Sequence, residues 1–207
     1  RQKLLKIILI LLTRDNNKII DAKKLLNNIN SEHLNDHFKK YLKVISFWLK
    51  KDLHSVISSL QNIISDHKKD ILAIRLLHFN NIFIGIDSNF LRKHLEILGN
   101  WTKTDPFYNL ILGMTSFAYE ENDQLSLAQN LANESLAMSK KDLWSWHALL
   151  HVQDNELSSD LESNEFFTSI DWSKYGAIKR QYGGIKPLCI FIKKILLNAS
   201  RCLIILY

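Results

Sequence analysis

Small or apolar residues return at Ala22, Val56, Leu91 and Ala128, separated by 34, 35 and 37 positions, and each opens a similar apolar face. The faces read Ala22/Leu25/Ile29, Val56/Leu60/Ile63, Leu91/Leu95/Leu98 and Ala128/Leu131/Leu136. Residues three and four apart share one side of an α-helix, so the chain reads as successive amphipathic helices. Each interval also holds a second helical stretch and two brief connections. Such a helix pair is apolar on both sides and becomes stable only when stacked on its neighbours. An irregular helical bundle with accidental spacing is the alternative, and three successive similar intervals weigh against it.

The rest of the chain agrees with an all-α fold. Two prolines occur in 207 residues, and no Asn-Gly or Asp-Gly pair marks a hairpin. A hydrophobic content of 46% excludes disorder, six glycines exclude a collagen-like chain, and two cysteines exclude a disulfide scaffold. Start signals delimit the helices. Ser31 with Glu32 predicts a helix to about Lys50, its apolar face Leu34, Phe38, Leu42, Ile45 and Trp48 or Leu49. Asp52 caps a run from Leu53 to Ile64, Asp70 precedes Ile71–Ile84, and Asp87 or Ser88 precedes Phe90–Leu98. Asp105-Pro106 reads as N-cap and first helical residue of a helix to Glu121, because proline lacks only an N–H that would be unpaired there. Asn122 or Asp123 starts the next helix, and Asp142 caps one from Leu143 to about Asp154.

Charge is distributed unevenly. The formal total is +6, which by itself would suggest an anionic partner. Between Ser173 and Tyr207 stand seven basic residues and no acidic one, leaving residues 1–172 with 20 basic and 21 acidic groups. The excess therefore belongs to a tail that also holds both cysteines, Pro187 and three glycines. Leu4 to Leu12 is too short to span a bilayer, and Lys193, Lys194 and Arg201 interrupt the apolar stretch after Pro187. The expectation is a cytoplasmic protein without a transmembrane segment and without a nucleic-acid partner. Residues 1–172 form the helical repeat domain, and 173–207 form a separate basic segment. Contact of that segment with an anionic membrane surface is a further possibility.

A helix–turn–helix unit of about 34 residues is the tetratricopeptide signature. The unit around Ala128 fits best, with Tyr119 at the aromatic site of the first helix, Ser135-Leu136 at the Ala-Leu pair and Trp146 opening the next unit. Residues 105–154 go further and resemble the tetratricopeptide repeat protein 38 family. The matching positions are Gly113, Met114, Phe117, Glu120 and Glu121, then Ala128, Ala132 and Leu136, then Asp142, Trp144, His147, His151 and Val152. Asp154 matches the acidic residue that follows His-Val, and Asp171-Trp172 looks like the family's Asp-Trp. The resemblance implies a right-handed α-solenoid of antiparallel helix pairs, and no particular reaction. Where members show an aromatic-Trp-His motif, this chain reads Tyr182-Gly183-Gly184-Ile185. Codons TAT GGT GGC ATN, read from their third base, give Trp-Trp-His. A frame slip between about 173 and 181 would thus make the tail a non-native continuation, which the nucleotide sequence in three frames checks.

Two chemistries compete for the matched region. His147 and His151 lie one helical turn apart, on one face, with Glu120, Glu121 and Asp154 as candidate carboxylates. That set could chelate a metal through His147, His151 and Asp154, or perform acid–base work. The metalloprotease form needs Glu directly after the first histidine, and Ala148 stands there. Both histidines lining a ligand groove with Trp144, Tyr119, Glu120 and Glu121 is the favoured reading. Trp144, Trp146, Trp101 and Tyr108 are expected in the core rather than on a stacking surface, and the six remaining histidines at ordinary exposed positions. The expected function is therefore binding of a peptide or protein segment without a cofactor, with an enzyme at His147/His151 as the alternative.

Overall fold

A computed structural model of the chain describes residues 2–13 and 15–156. The basic segment 173–207 and Asp171-Trp172 lie outside these residues. Every element described is an α-helix, and no strand occurs among the described residues. In order they are α1 (Gln2–Leu12), α2 (Asn16–Asn27), α3 (Asp36–Leu49), α4 (Leu53–Asp66), α5 (Ile71–Ile84), α6 (Phe90–Leu98), α7 (Tyr108–Glu120), α8 (Leu125–Met138) and α9 (Leu143–Glu156). No helix among the described residues is long and apolar enough to cross a membrane. Helices α3, α5, α7 and α9 begin 35, 37 and 35 residues apart, close to the period of the sequence.

Start signals worked where a short polar side chain had a free amide to satisfy. Asp52 accepts from Ser55 N (3.1 Å) and Asp70 from Ala73 N (3.0 Å), each covering one of the four N–H groups a helix start leaves open. Elsewhere the structure corrects the reading. Residues 31–34 form a turn, in which Asn30 Oδ1 accepts from Glu32 N, and Asn35 caps α3 through Phe38 N at 3.0 Å. The buried face of α3 is consequently Tyr41, Val44, Ile45 and Trp48, not one built on Leu34 and Leu42. Asp105 does not cap α7. Its carboxylate instead closes a tight turn by accepting from Thr102 N and Oγ1, and α7 begins only at Tyr108 after Phe107 takes a left-handed φ of 69°. The face of α6 is Phe90, His94 and Ile97, one residue earlier than Leu91, Leu95 and Leu98. Ranking leucine above histidine misplaced it, because a buried histidine can meet its polar requirement on its own helix.

The helices gather into two units. The first, within Arg1–Asp87, holds α1 to α5, where α1 packs on α2 and α3, and α4 on α3 and α5. Its core includes Ile7, Ile8, Leu12, Val44, Ile45, Val56, Leu60 and Ile63. The second begins at Ser88 and holds α6 to α9. There α7 lies against α6, α8 and α9, over Phe90, Ile111, Leu112, Phe117, Ala128, Ala132 and Leu150.

Contacts fix the chain directions in the second unit. Ser116 Oγ donates to Ala128 O (2.7 Å), and Ser135 Oγ lies 2.8 Å from Asn109 O, so α8 runs antiparallel to α7. Along α7, Gly113, Phe117 and Glu120 meet Asp142, then Trp144 and His147, then His151. Both lists ascend, so α9 runs in the direction of α7. Ala128 and Ala132, both fully buried, are the small residues that let the pair close up.

His94 shows how burial couples to pH. Its ring is shut from water, and Nδ1–H donates to Phe90 O at 2.8 Å. Desolvation lowers its pKa to about 4, Lys93 adds to the depression, and the Phe90 bond opposes it. A histidine depressed when folded binds fewer protons than in the unfolded chain. Its contribution is complete above the unfolded value of 6.5 and is lost as pH falls towards 4. The loss should reach about 3 kcal/mol. Denaturant melts between pH 7 and 4 check this, and His94→Leu should remove that part of the acid sensitivity.

Candidate functional site

The residues that carry the resemblance fall on facing stripes of α7 and α9. Gly113, Phe117 and Glu120 recur at four and three residues on α7, and Trp144, His147 and His151 at three and four on α9. At one end, an ideal Cβ on Gly113 would lie 1.7 Å from Asp142 Oδ2 and 2.8 Å from Ser145 Oγ. Only a residue without a side chain admits that approach. Asp142 is itself buried, and its Oδ2 accepts from Ser145 Oγ (2.6 Å) and Ser135 Oγ (2.8 Å). Hydroxyl donors of this kind are what a buried carboxylate requires.

Aromatic rings fill the middle. Phe117 packs with its centroid 4.9 Å from Trp144 and 5.2 Å from His147, and meets Phe90 edge-on at 6.2 Å. His147 is buried, and its ring lies 4.5 Å from that of His151. Trp144 and His151 are half-buried. Trp101 and Trp146 are in the core, where Trp146 Nε1 donates to Lys140 O at 2.9 Å.

At the far end His151 Nδ1 and Glu120 Oε1 are 2.7 Å apart. A carboxylate only accepts, so Nδ1 of His151 carries the hydrogen of this bond. Glu120 is almost entirely buried, while the His151 side chain is 32% exposed. The pair therefore joins a sealed carboxylate to a ring that reaches solvent. Of the residues assigned to the groove, Trp144, His147, His151 and Glu120 come together. Glu121 is exposed beyond the end of α7, Tyr119 is half-buried, and the Asp154 side chain lies outside the described ones.

No protein-family model matches the chain, and no solved structure matches it. The site has to be read from its own chemistry. No group of three histidine, cysteine, aspartate or glutamate side chains suited to a metal occurs among the described residues.

A second carboxylate–histidine contact, in the first unit, escaped the sequence reading. Asp70 Oδ2 lies 3.0 Å from His37 Nε2, and Oδ1 accepts from Tyr41 OH at 2.8 Å. His67 crosses the His37 ring edge-on at 4.4 Å. The signal was Asp70 itself, since an N-cap residue sits where the preceding helix pair comes close. His33, His54 and His67 are exposed as expected, whereas His78 and His94 are buried. The site on α7 and α9 is the one whose polar end faces outward from an aromatic wall.

Proposed function

We propose that the chain is a binding protein of the tetratricopeptide repeat protein 38 type, whose helix pairs are solenoid repeats and whose α7–α9 face takes a peptide or protein segment. The observation that carries the reading is the Glu120–His151 pair, a buried carboxylate holding a partly exposed ring at the edge of Trp144, Phe117 and His147. The reading is further supported by the directions of α7, α8 and α9, which repeat the turn-and-return course of a helix pair followed by the next first helix. Rigid aromatics beside a fixed polar group suit recognition, since such residues lose little side-chain entropy on binding.

A display selection of random peptides against the full chain tests it. Enriched sequences should protect α7 and α9 amides from hydrogen exchange and lose at least about tenfold in affinity on His151→Ala, measured at a temperature where that variant is still fully folded. Failure to enrich any sequence, or binders indifferent to that substitution, overturns the reading. The second reading is an acid–base enzyme, favoured by the same pair, because a carboxylate that accepts from Nδ1–H orients the imidazole and stabilises its protonated form.

A further inference from the structure

We propose that the α7–α9 site recognises a primary ammonium group, either a lysine side chain or a peptide's free N-terminus. This rests on the binding reading above and names the chemistry it selects. Glu120 Oε1 is engaged by His151, but Oε2 is shut from water and has no hydrogen-bond donor among the described residues. Buried carboxylate oxygens are costly to leave unpaired, so a donor has to come from elsewhere. Neighbouring groups do not supply it. The Asn122 side-chain amide donates to Ala118 O, and Gln124 N donates to Tyr119 O. A carboxylate oxygen accepts a charge-assisted hydrogen bond more strongly than a neutral one, which favours a cation over a hydroxyl as the missing donor.

The donor's shape is also restricted. A guanidinium binds carboxylates best through both oxygens at once, and Oε1 is already committed. An ammonium is a point donor that needs one oxygen. Its remaining N–H groups can lie against the half-buried ring of Trp144, whose quadrupole attracts a cation. A buried carboxylate beside stacked aromatic rings thus matches an ammonium in both charge and surface.

The test is an NMR titration of the full chain, reading the tryptophan indole and histidine ring signals. The probes are Nα-acetyl-lysine methylamide, glycine methylamide with a free amine, the neutral norleucine counterpart and the arginine counterpart. Saturable shifts with the lysine or glycine probe, none with norleucine, and at least about tenfold weaker binding of arginine are expected. The first two probes distinguish side-chain from N-terminal recognition. Glu120→Gln should abolish the response, and Trp144→Leu should weaken it if the glutamine variant fails to fold. No response to either amine, or equal responses to norleucine or in Glu120→Gln, overturns the proposal. Selected peptides that bind the same face with every amine blocked would sink this inference and leave the repeat-binding reading standing.

Discussion

Gly113→Ala should destabilise the second unit by about 4 kcal/mol, from a single added methyl group. The new Cβ would stand 1.7 Å from Asp142 Oδ2, so one partner has to move. The carboxylate has nowhere cheap to go. It is 3% exposed and holds two serine hydroxyls, and its other oxygen lies 3.3 Å from Trp144 N. Displacing it breaks the hydroxyl bond of buried Ser145, leaves Ser135 with Asn109 O alone, and weakens the start of α9. If α9 moves instead, the contacts of Phe117 and Glu120 open with it. Urea melts of the parent, Gly113→Ala, Asp142→Ala and the double variant check the cause. Removal of the carboxylate clears the space, so the double variant should be much less destabilised than the sum of the singles. Additive losses would mean that the close approach is not what glycine provides.

Phe117→Ala should cost about 3–5 kcal/mol, by removing the ring at the centre of the aromatic array. Phe117 is 2% exposed and contacts Phe90, Trp144 and His147, which belong to α6 and α9, so the cavity would loosen three helices at once. The loss should appear in denaturant melts together with a red shift of tryptophan emission as Trp144 gains water. A small loss without that shift would show that α6 and α9 collapse into the gap.

Much of the fold was legible because it depended on local pattern. The helix at Ile71–Ile84 was read to the residue, since Asp70 caps it and fourteen residues follow without a breaker. The failures share a cause. Asp105 and Ser31 carry the right side chains for a cap, but nearby turns at Thr102 and Asn30 use the same backbone groups, and sequence spacing does not reveal which turn wins. At α6, apolarity ranked Leu95 above His94, although Leu95 is 38% exposed and His94 is sealed. For the site, helical spacing put His147 and His151 together, and the family resemblance brought Glu120 within the candidates. Which carboxylate reaches His151 was not legible, because it depends on how far α7 and α9 slide along each other. Asp142 packing against Gly113 sets that offset.

Twenty-nine residues separate Gly113 from Asp142, and the same number separates Tyr41 from Asp70. Both aspartates begin a helix, and both carboxylates reach back to the seventh position counted from the cap of the helix two before. In one unit that position is a phenol that donates to the carboxylate; in the other it is a bare backbone, and serines donate instead. The two junctions are alternative keys cut for one kind of lock. A tyrosine at 113 would drive a ring into Asp142, and a glycine at 41 would strip Asp70 of a donor. The two junctions are therefore not interchangeable parts, and each aspartate fits only its own partner.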